Sequence, residues 1–321
     1  MELKQVKTQT DAIVGSIERV ILGKSAEIKL VLAAFLAGGH VLLEDVPGTG
    51  KTMLAKALAR SFDLGFSRVQ FTPDLLPSEL TGINFYSPKT GEFTFRKGSL
   101  FANIVLADEI NRATPRTQSG LLESMEERQI SVDGTTYPLG SPYFVIATQN
   151  PVETQGTFPL PEAQLDRFLL QLSLGYPEKE EAVKILKQNA TANPLEQISP
   201  VCKASDFIDL QKAIGTVFIH DDVYGYMVDL AEATRNHDSV SLGVSTRGVL
   251  ALVRIATAYV AMEGRAFVTP TDVQYLLPYV FAHRIMLKGG IRNRQLAAVS
   301  VLEEASSTVV APTEEWRKTE S

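Results

Sequence analysis

An apolar run that ends in two closely spaced glycines and a lysine constrains this chain more than any other feature: Val41-Leu42-Leu43-Glu44-Asp45-Val46-Pro47-Gly48-Thr49-Gly50-Lys51-Thr52. The run predicts a buried strand over 40–44, and the residues after the glycines predict a helix over about 51–61. A strand, a glycine-rich turn and a helix in that order form a cradle for phosphate. Gly48 and Gly50 let the backbone turn its N–H groups inward, and the positive end of the helix points at the same place. Lys51 supplies a mobile charge for the outer phosphates, and the Thr52 hydroxyl is a ligand for Mg²⁺. The stretch Asp45, Val46, Pro47, Gly48, Thr49, Gly50, Lys51, Thr52 and Met53 is therefore the candidate nucleotide-binding segment. The strict pattern has glycine where this chain has Asp45. Aspartate tolerates unusual backbone angles better than most residues, so the loop is still expected to form.

A second motif completes the chemistry. Ile104-Val105-Leu106-Ala107-Asp108-Glu109 is an apolar strand ending in two acids. Asp108 is the candidate magnesium ligand, largely through water, and Glu109 the candidate general base that orients the attacking water. Asn150 follows the apolar run 143–147. It either holds the water or forms a turn before Pro151. Arg167 and Arg247 are each suited to neutralise charge on a transferring phosphoryl group, or to a surface ion pair.

The remaining chain gives the frame. Several apolar strands (66–71, 103–107, 143–148, 168–174) alternate with helices, which predicts a mostly parallel sheet covered on both faces. Two hairpins are expected, one around Lys89-Thr90-Gly91 and one turned by Asp133-Gly134. Beyond Tyr176-Pro177 a charged helix (178–189) and a linker (190–201) lead to a region with almost no strand signal. Helices are expected near 205–214, 221–235, 246–263, 270–287 and 293–306, with a frayed tail over 313–321. This gives residues 1–190 as an α/β nucleotide-binding core and 191–321 as a smaller all-α domain.

Composition narrows the function. The net charge is −6, and no basic run with interleaved aromatics is present, which disfavours nucleic acid. Cys202 is the only cysteine, and His40, His220, His237 and His283 lack ligand-like spacing, so a zinc site is not expected. The most apolar stretch, 30–43, is broken by Gly38, Gly39 and His40 and falls short of the ~20 residues of a membrane span. The start is unlike a signal peptide. A soluble, cytoplasmic protein is expected.

The motifs together resemble those of the AAA+ ATPases, and within them the MoxR family of the helix-2-insert branch. The resemblance is carried by 39–52, by Gln70-Phe71-Thr72-Pro73-Asp74-Leu75-Leu76-Pro77-Ser78, and by Asp108-Glu109-Ile110-Asn111-Arg112-Ala113. Segments 118–127, 147–151 and 158–168 add to it. It covers about residues 5–310, more specifically in the first domain than in the second. It implies a P-loop AAA+ core with a five-stranded sheet and a helical lid. It implies that Asn150 is the first sensor, and that Arg167 is the finger serving a neighbouring subunit, with Arg112, Arg116 and Arg128 as rivals. Arg247 becomes the second sensor, contacting phosphate in its own chain. ATP and Mg²⁺ are the implied cofactors, and a hexameric ring the implied assembly. The implied task is chaperone-like remodelling or activation of a separate client protein. A partner with a von Willebrand factor A (VWA) domain and insertion of a metal cofactor are the specific forms. A DNA-acting motor and a slow nucleotide-dependent switch are the alternatives.

Overall fold

Strands that are apolar on both faces must be covered on both, and that requirement organises the computed structural model, which describes residues 1–89, 91–151, 156–191, 193–289 and 294–313. Helices α1 (Leu3–Glu18) and α2 (Ser25–Leu36) open the chain. Strand β1 (Val41–Glu44) leads into α3 (Lys51–Ser61), followed by β2 (Phe66–Gln70) and the single turn α4 (Pro77–Thr81). A hairpin of β3 (Gly82–Ser87) and β4 (Glu92–Lys97) precedes β5 (Ile104–Asp108) and α5 (Pro115–Glu127). A second hairpin, β6 (Gln129–Val132) and β7 (Thr135–Pro138), precedes β8 (Phe144–Gln149), α6 (Glu162–Leu165) and β9 (Leu170–Leu172). The second half holds α7 (Lys179–Thr191), α8 (Ala204–Ile214), α9 (Asp221–Asn236), β10 (Val240–Leu242), α10 (Thr246–Met262), α11 (Pro270–Phe281), β11 (Met286–Leu287) and α12 (Arg294–Thr308).

The main sheet has five parallel strands in the order β2-β5-β8-β1-β9. Glu44 lies opposite Gln149, and Gln70 opposite Asp108, so the carboxyl ends of these strands share one edge. All five residues of β5 are buried. One face is covered by α1, α2 and α3 together with the helices of the second half, and the other by α4 and α5. On the first face Phe35 of α2 joins the two halves. Its ring meets Phe62, Phe144 and Phe207 at centroid distances of 5.1, 5.2 and 4.7 Å.

The expected sheet and both hairpins are present. Asp133 (φ 51°) and Gly134 (φ 79°) form the two-residue turn with positive φ that an Asp-Gly pair favours. The second half differs from the all-helical expectation, because β10 and β11 pair antiparallel. Strands of three and two residues are too short to show a period. The helix expected over 270–287 ends at Phe281, where a tight turn, Ala282–Arg284, redirects the chain into β11. Thr90 and residues 314–321, the tip of the first hairpin and most of the frayed tail, lie outside the described residues. Among the described residues no helix is long and apolar enough to cross a membrane.

One buried group gives this fold a pH signature. His40 precedes β1, bonds Met125 O through Nε2 at 2.9 Å and accepts the Val145 N–H on Nδ1 at 3.0 Å. Burial, opposed by the Met125 carbonyl and helped by nearby Arg128 and Arg254, pushes its pKa down to about 4. The folded chain therefore keeps this ring neutral while an unfolded chain binds a proton below about 6.5. Stability is fully present above that value and falls as the pH drops toward 4, by up to about 3 kcal/mol from this residue. His283 is shifted in the same direction by burial and by Arg284. Chemical denaturation at stepped pH is expected to show a shallower acid loss for His40→Gln than for the wild type.

Candidate active site

The loop after β1 has the conformation its glycines predict. Gly48 (φ 87°) and Gly50 (φ 92°) both adopt left-handed backbone angles, and Gly50 caps α3. A side chain at Gly48 would meet nothing within 4 Å, so open space remains in front of the loop there. The need for glycine is in the backbone angle. The first-turn amides of α3 have no partners within the helix and face the loop with the positive end of its dipole. Lys51 Nζ folds back over the loop, donating to the carbonyls of Asp45 (3.0 Å) and Val46 (3.1 Å). Thr49 Oγ1 is buried there without a hydrogen-bond partner. Open space in front of Gly48, the unpaired amides of a helix start and a lysine ammonium fit a chain of phosphates. Asp45 does not need the tolerance first ascribed to it. It is absent from the positive-φ residues, and its buried carboxylate accepts from Ser173 and from the Leu174 and Gly175 amides.

The acids stand at the same edge. Asp108 ends β5 and Asn150 follows β8, the strand between β5 and β1. Two strand spacings put the end of β5 about 10 Å from the end of β1. Asp108 Oδ1 accepts from Thr148 Oγ at 2.7 Å, and Oδ2 accepts from Arg68 Nη2 at 2.6 Å. Glu109 sits at φ 56°, and its N–H donates to the same Thr148 oxygen at 2.8 Å. Its carboxylate accepts from Gln70 Nε2 at 2.9 Å and pairs with Arg112 Nε at 3.0 Å. One buried hydroxyl therefore orients both acids. Thr148, Arg68 and Gln70 were not singled out from the sequence. The available signal for Thr148 was a hydroxyl inside an otherwise apolar run. Thr52, in the first turn of α3, and Asp108 offer oxygen ligands of the kind Mg²⁺ prefers. Among the described residues no group of three or more His, Cys, Asp or Glu side chains is placed to hold a metal ion.

The two arginines are elsewhere. β9 runs parallel to β1 with Leu170 opposite Val41, so Arg167 lies at the amino edge, a strand length from the loop. Arg247 starts α10 and lies there too. Glu126, at the end of α5, approaches both. Its Oε1 accepts from Arg247 Nη2 at 2.8 Å, and its Oε2 is an ion-pair distance of 3.0 Å from Arg167 Nε. Together with Gly38, His40 and Arg254 they line a cavity of about 390 Å³. Arg247 thus lies a strand length from its own loop, away from the place expected for contact with phosphate in its own chain. α10 packs along α1 and α2, which fixes its start beside the amino ends of β1 and β9.

A further arginine escaped sequence reasoning. Arg284 is buried between the halves. Its Nε donates to Asp166 Oδ1 at 2.7 Å, and Nη2 to Phe168 O at 2.6 Å. Burial lowers its pKa to about 10 against the opposing pull of Asp166, so it remains a cation at neutral pH and clamps the segment carrying Arg167.

Known proteins resemble this chain in sequence and in fold. The family model described as the ATPase family associated with various cellular activities (AAA) matches residues 40–170, and that of the AAA lid domain matches 232–304. The chain is 50% identical over 296 residues to the uncharacterised protein YeaC of Bacillus subtilis, covering 92% of each. It is 37% identical over 305 residues to Chaperone MoxR1 of Mycobacterium tuberculosis, covering 92% of this chain and 80% of that one. A crystal structure from Cytophaga hutchinsonii, provisionally described as an ATPase, superposes with a TM-score of 0.88 at 35% identity over 97% of both chains.

Proposed function

From the premise that this chain belongs to the MoxR family of AAA+ ATPases and hydrolyses ATP, we propose that it couples hydrolysis to remodelling a separate client protein, with its active sites shared between copies in a hexameric ring. The same reading takes 1–190 as the ATP-binding core and 191–321 as the lid.

In this reading the amides of 48–53, within the segment Asp45 to Met53, and the Lys51 ammonium bind the phosphates. Thr52 and Asp108 would hold Mg²⁺, which would offset charge on the outer phosphates. Glu109 orients and polarises the attacking water, with Asn150 beside it. Arg167 and Arg247 face the outer phosphate of a neighbouring subunit, Arg247 now being assigned across the interface. The observation that carries this is the pairing of both arginines with Glu126 at the sheet edge opposite their own loop. The test is subunit mixing. Arg167→Ala and Lys51→Ala subunits are each expected to be nearly inactive, and mixing them should restore part of the ATPase activity. A mixture as inactive as its components at every ratio overturns the shared site.

The first hairpin carries the cations Lys89, Arg96 and Lys97 beside an apolar surface, and that surface favours a protein client over nucleic acid. Ile83, Phe85, Tyr86 and Phe93 are exposed on it, and the Tyr86 and Phe93 rings, opposite each other, touch at 5.5 Å. The second hairpin carries Asp133 and no lysine or arginine. A groove for DNA needs clustered cations and loses affinity steeply with salt, whereas apolar surface on a loop suits a polypeptide. A VWA-domain protein is the specific partner proposed, with metal-cofactor insertion as the specific task.

A further inference from the structure

Asp45 stands where the strict phosphate-loop pattern has glycine, and all of its polar groups are in use. It is 3% exposed. Its N–H donates to Gln149 O at the end of β8 (3.2 Å), and its carbonyl accepts from the Lys51 ammonium (3.0 Å). Its carboxylate turns away from the loop toward the exit of β9. Oδ1 accepts from Ser173 Oγ (2.7 Å) and the Gly175 amide (3.0 Å), and Oδ2 from the Leu174 amide (2.7 Å). The chain reverses at Gly175 (φ 63°) and runs through Tyr176-Pro177 into α7. One residue thus touches the lysine that reads phosphate and the connector that leads out of the sheet.

We propose that Asp45 is a positioning residue that couples phosphate binding in the loop to the 173–177 connector, and through it to the lid. The inference rests on the phosphate-binding reading of Lys51. In the structure Lys51 is held by the Asp45 and Val46 carbonyls. A phosphate competes for the same ammonium. When the ammonium turns to phosphate, the Asp45 carbonyl loses a charged donor, and the peptide that carries it is free to tilt. The carboxylate on the same residue is fixed to three donors on the connector, so a tilt of Asp45 moves 173–175 with it. A glycine here would let the loop bind phosphate without informing the connector. The bland alternative is a buried carboxylate that only pins β9 to β1. It predicts lost stability on substitution with the nucleotide response intact.

Hydrogen exchange of the full chain, with and without MgADP, separates the two. In the wild type, peptides covering 46–53 and 173–178 should both gain protection. In Asp45→Asn the amide keeps the size of the side chain but presents a donor to donors. Protection of 46–53 should persist while the response of 173–178 is lost. Steady-state kcat should fall by about 10-fold or more, with KM for ATP within about 3-fold of the wild type. Ser173→Ala removes one of the three donors, leaves Asp45 in place, and should reduce the 173–178 response partially. It serves if Asp45→Asn does not fold. A variant that melts at lower temperature but keeps the 173–178 response and kcat overturns the coupling, as does a wild type protected at 46–53 alone. A wild type unprotected even at 46–53 overturns the phosphate-loop reading, and the coupling with it.

Discussion

Glu109→Gln is expected to lower ATP turnover by about 10²–10⁴-fold while ATP still binds, the range associated with loss of a positioned general base. The substitution is clean because of how Glu109 is held. Its φ of 56° is imposed by the turn after β5 and is unchanged by an amide of the same shape. A glutamine oxygen can accept from Gln70 as the carboxylate does. The backbone bond to Thr148 that aligns Asp108 stays as well. The substitution removes the negative charge that polarises water, and with it the ion pair to Arg112 at 3.0 Å. Phosphate release under saturating ATP, together with calorimetric titration of ATP, reads the two quantities separately. Unchanged turnover would remove Glu109 from the proposed mechanism. Wild-type turnover already as slow as that of the variant would instead favour a switch or scaffold.

Arg284→Ala is expected to cost about 3–5 kcal/mol, because removing one partner leaves Asp166 and several carbonyls facing a gap in a buried site. Replacing both partners, Arg284→Met with Asp166→Leu, is expected to recover much of that loss, since a well-packed apolar pair avoids the desolvation of two charges. Urea unfolding of the three proteins gives the comparison. A single substitution costing under about 1 kcal/mol would mean that Arg284 does not clamp the 166–169 segment. The single variant should also loosen Arg167, so its ATPase activity should fall further than that of Arg284→Met/Asp166→Leu if repacking restores the segment.

What could be read from the sequence is what lies close together in it. The loop announces itself because phosphate needs glycine backbone angles, an ammonium and a hydroxyl within a few residues. The acids announce themselves because the four apolar residues 104–107 must form a buried strand, and the acids stand at its end. The structure brings 45–53, Asp108, Glu109 and Asn150 to one sheet edge. The partners escaped it. Thr148, Gln70 and Arg68 matter through contacts across strands, and Glu126 and Arg284 through contacts between halves of the chain. Gln70, Glu126 and Thr148 lie in segments that carry the family resemblance, but the contacts that give them their roles do not follow from local pattern. The helix start that carries Arg247 is legible, but its distance from the loop depends on α10 lying along α1 and α2, a packing decision made about 230 residues apart in sequence. The β10–β11 pair was too brief to register.

The place of β8 has a consequence for charge. Were β5 next to β1, the carboxylate ending one strand and the ammonium following the other would neutralise each other, and the site would be closed by its own salt bridge. The intervening strand keeps them apart, so the lysine rests on carbonyls and the aspartate on a threonine and an arginine. Opposite charges held across a fixed gap leave room for a molecule that carries both signs, an anion with its cation.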